Sequence, residues 1–297
     1  MKYVFIINLT SGSNKSKDSL VEEIESYRNE YDISIYFTEG KYSATEYVKN
    51  YLKCNDNQEV RFIACGGDGT INEVANGIVG YKNANMTVYP CGTGDDFAKS
   101  VGGIEKYRNV KNLLDAKNYD IDLIKINDLY SINVANFGFD ADVVKHSESL
   151  KGKVKSPYTN AIFKALFTSM SNDIQVEADG ELLNNGKKML LCNLGNGGYE
   201  GGKYFCAPYY KVDDGLIEVC YVKKISVFKL LSLIKCYEKG EHLSNKKLKN
   251  IIFYRQIKKA KISSKKEFTF CIDGELISGT EFNVEICPKI IKFAMVK

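Results

Sequence analysis

The sequence predicts a Rossmann-like α/β domain followed by an antiparallel β-sandwich, and three observations predict it. Over the first third, short apolar runs alternate with stretches whose apolar residues recur at helical spacing. Near residue 120 that alternation gives way to a succession of short strands. Two glycine-rich loops stand where strands of the first part run into helices. The expected division is residues 1–120 and 121–297.

The elements follow in order. Tyr3 to Ile7 is an apolar run, then a polar turn over Asn8 to Lys17. Leu20, Val21, Ile24 and Tyr27 mark a helix, Ile33 to Phe37 a strand, and Ala44, Val48, Tyr51 and Leu52 a second helical face. Val60 to Cys65 is a third apolar run, ending at Gly66-Gly67-Asp68-Gly69-Thr70; a helix through Ile71, Val74, Ala75 and Ile78 follows. Met86 to Tyr89 runs into Pro90-Cys91-Gly92-Thr93-Gly94-Asp95-Asp96. Beyond Ile121 the expected strands are Ile121 to Ile126, Tyr130 to Ala135, Ile174 to Ala178, Met189 to Asn193 and Leu216 to Val222. Five more follow: Ile251 to Tyr254, Ala260 to Ser263, Phe268 to Ile272, Phe282 to Ile286 and Ile290 to Val296. Two helices interrupt them. One is capped at Ser156-Pro157 and carries Ile162, Leu166 and Met170; the other spans Ile225 to Tyr237. Their apolar faces read as core before membrane contact.

Composition bounds the class. With 44% hydrophobic and 26% charged residues, the chain can bury a core in each half, and disorder is excluded. A net charge of +4 is too weak a bias for nucleic acid. The lysines and Arg255 between Lys246 and Lys266 crowd one stretch; a solvated face is the default, and attraction to anionic lipid headgroups is the functional alternative. No run approaches the ~18 apolar residues of a membrane span, and the opening run reads as a buried strand, not a signal peptide. Nine cysteines without a CxxC pair point to a reducing, cytoplasmic setting. His146 and His242 are isolated, which argues against zinc.

The loop Gly66 to Thr70 carries the first chemistry. Glycines after a buried strand let backbone approach a ligand, and the next helix aims free N–H groups at the loop, which favours phosphate. Asp68 beside such a site is repulsive unless a metal ion intervenes, so it reads as linked to Mg²⁺. Thr70 and Glu73 have capping-box spacing. The loop Gly92 to Asp96 repeats the setting: Thr93 can donate to a phosphate, and Asp95 or Asp96 can cap the helix. Asn8 to Lys15 lies on the same edge of the sheet. In the second half, Asp273-Gly274-Glu275 is a hairpin turn by default and a general base on the functional reading. Asp213-Asp214-Gly215 poses the choice of turn or metal site. Gly195 to Gly202 is a run for close packing or a ligand.

Together these pieces resemble the bacterial diacylglycerol kinase family, soluble lipid kinases related to sphingosine and ceramide kinases. The resemblance rests on Gly66 to Gly77, Pro90 to Ala98, Asn193 to Pro208, Asp214-Gly215 and Asp273-Gly274-Glu275, in the family's order. It implies a nucleotide-binding domain over 1–120, a lipid-substrate sandwich over 121–297 and an active site in the cleft between them. It implies ATP and Mg²⁺, with contacts from Asn8, Thr10, Ser11, Gly12, Thr38, Gly66, Gly67, Asp68, Gly69, Thr70, Asn72, Glu73, Gly92, Thr93 and Asp96. Asp273 and Glu275 match the motif that supplies the base, Glu275 slightly preferred. A structural Mg²⁺ maps onto Asp214 with backbone oxygens of Lys211 and Leu216. Diacylglycerol is the leading acceptor, met by peripheral contact with the inner face of the membrane; no nucleic-acid partner is expected, and a homodimer is compatible.

Three departures stand out: Asp95 where the family has Asn, Leu9 where it has Pro, and an end just after a strand. The extra charge of Asp95 is expected to weaken ATP binding or to raise the Mg²⁺ demand. The alternatives are a kinase of another lipid, such as a sphingoid base or phosphatidylglycerol, an NAD kinase, and a nucleotide- or lipid-binding regulator without turnover.

Overall fold

The structure, a computed structural model, describes residues 1–12 and 14–297. Ser13, inside the expected polar turn, lies outside the described residues. The chain forms two compact units: residues 1–123 with 288–297, and residues 124–287.

The first unit contains β1 (Lys2–Asn8), α1 (Asn14–Ser26), β2 (Ile33–Thr38), α2 (Ser43–Cys54), β3 (Val60–Gly66), α3 (Asp68–Ile78), β4 (Ala84–Pro90), α4 (Asp96–Ser100), α5 (Val110–Leu114) and the start of β5 (Lys117–Ile126). β2, β1, β3 and β4 lie side by side in that order, all parallel. Such sheets are covered on both faces, and β3 is buried from end to end, apolar but for Arg61, whose guanidinium donates to Asn85 Oδ1 and Leu113 O. The order changes direction between β1 and β3. Loops after those two strands therefore diverge and leave a crevice at their carboxyl ends. α2 packs against α3 at Gly77, where a Cβ would lie 2.7 Å from Val48 Cβ.

The second unit holds the rest of β5, then β6 (Leu129–Ser131), β7 (Val134–Gly138), α6 (Phe139–Leu150), α7 (Pro157–Thr168), β8 (Gln175–Ala178), β9 (Glu181–Leu182), β10 (Met189–Gly195), β11 (Tyr199–Glu200), β12 (Tyr204–Phe205), β13 (Ile217–Lys223), α8 (Val227–Glu238), β14 (Ile252–Ile257), β15 (Lys259–Ile272) and most of β16 (Glu275–Met295). It is an antiparallel β-sandwich, with neighbours in the order β14, β13, β10, β7, β15, β16. Alternation along β10 sends Cys192 and Leu194 into a core with Phe137, Tyr221 and Phe270. Leu191 joins the opposite face, where Val143, Ala161 and Ala165 of α6 and α7 cover it.

The last residues of β16 return to the first unit. Phe293 pairs in parallel with Met86 of β4. Thr87 Oγ1 donates to Ala294 O at 2.8 Å, and the Phe293 ring meets the Phe97 ring edge-on at 5.3 Å.

Several sequence expectations change. The run Tyr130 to Ala135 is broken between β6 and β7, because the N–H groups of Ile132 and Asn133 turn to a side chain. The four expected strands after Ala260 are two long ones, β15 and β16, joined by a tight turn. α6 was not expected; its exposed residues Lys145, Glu148 and Ser149 dilute the apolar signal. Ser156 sits at the N-cap of α7 without a side-chain capping bond, whereas Ser226 Oγ accepts Lys229 N–H and caps α8. The α7 and α8 faces are core only in part: Phe167 is 90% and Phe228 85% exposed. In the glycine run, Gly195 leaves 2.8 Å between a hypothetical Cβ and Ala207, and Gly198 lies under Phe205 and Tyr210. Both positions serve close packing.

Candidate active site

β3 delivers Gly66 and Gly67 to the sheet edge, and β4 delivers Gly92 beside them. A Cβ on Gly92 would lie 2.6 Å from Gly67 Cα. The two glycine loops therefore abut backbone to backbone, which only glycine permits. Cys91 N–H donates to Gly66 O at 3.0 Å and ties the loops together. α3 starts at once, with Gly67 as its N-cap and Ile71 N–H bonding back to Gly67 O at 3.2 Å. Its first N–H groups and the positive end of its dipole sit in the same loop.

Carboxylates frame this cradle. Asp68 Oδ1 accepts Phe97 N–H at 3.1 Å and so caps α4, the neighbouring helix. Neither Asp95 nor Asp96 caps α4 as expected, since α4 borrows its cap from α3. A Cβ on Gly94 would lie 2.9 Å from Asp68 Oδ2 and 3.2 Å from Asp96 Oδ2. Two carboxylate oxygens thus converge on a space that glycine leaves open. Asp96 Oδ1 is paired with Lys99 Nζ at 3.0 Å.

Asp95 does not face this space as a bare charge. It is 2% exposed and adopts a left-handed backbone (φ 52°), which Asp and Asn tolerate. Its Oδ1 accepts Gly92 N–H at 2.8 Å, and its other oxygen is 3.5 Å from Arg108. Burial raises its carboxyl, opposed by the Gly92 hydrogen bond and Arg108. Burial also pushes the Cys91 thiol up to about 11, so it is no reactive thiolate.

The remaining first-unit candidates cluster at the same strand ends. Asn8 ends β1 opposite Thr38 of β2. Asn8 Nδ2 donates to Thr70 Oγ1 at 2.9 Å, and its Oδ1 accepts Thr10 N–H and O–H, closing an Asx turn. Ser11 N–H returns to Asn8 O at 3.2 Å, and Gly12 takes φ 69°. Lys17 Nζ donates to Leu9 O across this turn. Thr93 is exposed at the tip of its loop, Gly69 is half-buried, and Asn72 lies one turn into α3. The expected Thr70–Glu73 capping box is not formed. The helix begins two residues earlier, at Asp68, so Thr70 is already inside it. The Glu73 carboxylate instead accepts Tyr42 N–H at 2.9 Å and Ala44 N–H at 3.0 Å, at the start of α2.

In the second unit Asp273 and Glu275 differ sharply. The turn Asp273-Gly274 has positive φ at both residues, 49° and 89°, as a two-residue hairpin needs. The Asp273 carboxylate points inward. Oδ1 accepts Asn133 N–H at 3.1 Å and Val134 N–H at 2.9 Å, and Oδ2 accepts Ile132 N–H at 2.8 Å. Burial pushes it up to about 6 against those donors. Asp273 is thus committed to fixing the β6–β7 break. Glu275 opens β16, half-buried, paired with Ile272. Asp214 is exposed, and its Oδ1 accepts Leu216 N–H at 3.1 Å in an Asx turn with Gly215 at φ 73°; Lys211 precedes it, also exposed. Among the described residues no three His, Cys, Asp or Glu side chains form a metal-holding group.

Sequence reading missed a polar nest made by Asn136, Asp140, Asn193 and Glu200. The available signal was a polar residue inside each of two apolar strands, Val134-Ala135-Asn136-Phe137 and Leu191-Cys192-Asn193-Leu194.

Abutting glycine loops at the switch point of a parallel sheet, with a helix start behind them, make a backbone cradle whose geometry suits a phosphate. Two domain families match the chain. The diacylglycerol kinase catalytic domain matches residues 2–126, and the YegS C-terminal NAD kinase beta sandwich-like domain matches residues 133–295. The chain is 30% identical over 277 residues to a diacylglycerol kinase of Staphylococcus haemolyticus (strain JCSC1435), covering 91% of this chain and 81% of that one. It is 28% identical over 275 residues to one of Staphylococcus carnosus (strain TM300), covering 91% and 87%. A crystal structure of a diacylglycerol kinase from Bacillus anthracis str. Sterne shares the fold with TM-score 0.72 at 20% identity, over 99% of this chain and 96% of that one. Yeast NADH kinase complexed with NADH shares it with TM-score 0.53 at 11% identity, over 100% and 84%. The chain belongs to the diacylglycerol kinase family.

Proposed function

We propose that this kinase transfers the γ-phosphate of ATP to a hydroxyl of a membrane lipid, with diacylglycerol as acceptor and phosphatidic acid as product. The observation that carries the reading is the convergence of Asp68 and Asp96 on the space beside Gly94, against the two abutting glycine loops. Hard carboxylate oxygens next to a backbone N–H cradle suit Mg²⁺ and a polyphosphate together. When bound, Mg²⁺ supplies charge compensation on the phosphates. The loop N–H groups from Gly67 to Thr70, with the N–H and hydroxyl of Thr93, bind phosphate oxygens and hold them in place. Asn8 and Thr70, locked to each other, close the same edge. Glu275 is the base that takes the hydroxyl proton, because the oxygens of Asp273 already hold three backbone N–H groups. A second cation at Asp214 rests on the family resemblance; the exposed turn contributes one carboxylate there, with one oxygen engaged by Leu216.

The acceptor is met at a lipid surface, in peripheral contact with the inner face of the membrane. α7 and α8 pack on one core cluster yet leave Phe163, Phe167, Phe228 and Leu231 outward, with Lys164 and Lys229 among them. Apolar wedges flanked by lysines fit an anionic bilayer. No helix among the described residues is long and apolar enough to cross a membrane.

The test is transfer of labelled γ-phosphate from MgATP to diacylglycerol, phosphatidylglycerol and sphingoid bases in mixed micelles. Labelled phosphatidic acid, lost in Asp96→Asn and in Glu275→Gln, is the expected result. Label on another lipid changes the acceptor and keeps the chemistry. Folded protein that binds ATP and labels no lipid overturns the reading.

A further inference from the structure

One face of the second unit's sheet carries a polar row inside an apolar surround. Asn136 on β7 stands opposite Asn193 on β10, flanked by Cys271 on β15 and Cys220 on β13. Glu200, from β11, lies on this row. Its Oε1 accepts Asn193 Nδ2 at 2.8 Å and its Oε2 accepts Asn136 Nδ2 at 3.1 Å. Tyr237 of α8 donates its hydroxyl to Glu200 Oε1. Asp140, in the first turn of α6, hydrogen-bonds to Glu200, and burial together with the Glu200 charge drives its carboxyl well above the usual range.

Three oxygens in this nest receive no hydrogen bond from the described residues: Asp140 Oδ2, Asn136 Oδ1 and Asn193 Oδ1. Asn193 is 0% and Asn136 7% exposed, so bulk water does not serve them. Each such buried acceptor is costly. A proton on Asp140 supplies one donor, which goes to Glu200 and leaves the three oxygens as they are. The two amides and Tyr237 already donate to Glu200, so it is the three oxygens around its carboxylate that call for positive charge. All are hard oxygens, and burial holds the flanking Cys220 and Cys271 thiols neutral.

We propose that Asp140, Glu200, Asn136 and Asn193, with the Tyr237 hydroxyl beside them, bind a hard divalent cation within the second unit. Two carboxylates offset its charge, and two amide oxygens fill further positions. A mixed carboxylate and amide set of this kind suits Ca²⁺ better than Mg²⁺, which keeps its waters. The ion pins α6, β11 and α8 to the sheet. The inference stands apart from the kinase reading, since the residues involved are not those assigned to nucleotide or base.

The test is thermal unfolding of the full chain without nucleotide, in chelator and then with Ca²⁺, Mg²⁺ or Mn²⁺ added singly. Ca²⁺ is expected to raise Tm by about 5 °C near saturation. The rise disappears in Glu200→Gln and in Asp140→Asn, and persists in Asp96→Asn and Asp214→Asn, which remove carboxylates elsewhere. In chelator Glu200→Gln is less stable than the parent, because its amide sets an N–H against the Asn136 or Asn193 N–H; Ca²⁺ widens the gap, since only the parent gains from the ion. Isothermal titration of Ca²⁺ reports one ion fewer bound by Glu200→Gln than by the parent. A Tm that none of the three cations moves, or a rise undiminished in both nest variants, overturns the proposal. Loss of the rise in Asp96→Asn or Asp214→Asn alone overturns it too, and assigns the ion to that carboxylate.

Discussion

Asp68 Oδ1 accepts the N–H of Phe97 at 3.1 Å, so the first residue of α3 caps the start of α4. One carboxylate thereby fixes the distance between the two glycine loops with one oxygen and turns the other toward Gly94. The two roles separate by substitution. Asp68→Asn keeps an oxygen for the cap and is expected to hold stability within about 0.5 kcal/mol, while kcat/KM falls about 100-fold or more. Asp68→Ala loses both and costs about 1 kcal/mol in addition. Urea unfolding with phosphate-transfer kinetics on both variants checks the split.

Gly92→Ala forces a methyl to within 2.6 Å of Gly67 Cα, and backbone cannot step aside as a side chain can. The expected cost is about 2 kcal/mol or more in stability, with nucleotide affinity weakened about 10-fold or more as the cradle opens. Fluorescent nucleotide titration on the variant, run beside thermal unfolding, reads both.

Asp95→Asn is expected to leave the KM for ATP within about 3-fold of the parent, because Asp95 turns its charge to Gly92 N–H and Arg108. Asn accepts the same hydrogen bond and tolerates the same φ. That outcome would remove the expectation of weakened ATP binding from this departure. A KM that drops 10-fold in Asp95→Asn would restore it.

Asp273 makes stability depend on pH with a definite sign. Its folded value is raised to about 6, above the unfolded value near 4, so the folded state holds the proton more tightly. Its contribution is fully present below about pH 4 and is lost as pH rises through about 6, by at most about 3 kcal/mol. Urea midpoints across pH 4 to 7 should show this slope in the parent and a flatter profile in Asp273→Asn.

Phe167→Ser and Phe228→Ser remove side chains that are 90% and 85% exposed, so folding stability should change by less than about 0.5 kcal/mol. Binding to vesicles of anionic phospholipid should weaken about 10-fold for each. Sedimentation with vesicles measures it; unchanged binding would remove α7 and α8 from the lipid surface.

The parallel sheet was legible because β1, β3 and β4 are buried on both faces and read as mainly apolar runs, with Arg61, Asn85 and Thr87 the polar residues inside them. The glycine loops were legible because close backbone approach leaves no other residue type. The fate of Asp273 was not. An Asp-Gly pair reads alike whether its carboxylate meets water or N–H groups 140 residues earlier in the chain. The nest around Glu200 was hidden for the same reason: Asn136 and Glu200 come together only through the sheet. The length of β16 was concealed by Ser278, Thr280 and Lys289, exposed positions that interrupt the apolar alternation without breaking the strand.

The return of residues 288–297 sets a timetable for folding during synthesis. β4 acquires its neighbour only once Phe293 has left the ribosome, long after the other parallel strands. Until then the nascent first unit presents a bare strand edge, an invitation to wrong pairing. A truncation just before Pro288 would therefore injure the amino-terminal half of the protein. Fragments ending near residue 123 should be recovered mainly as aggregate.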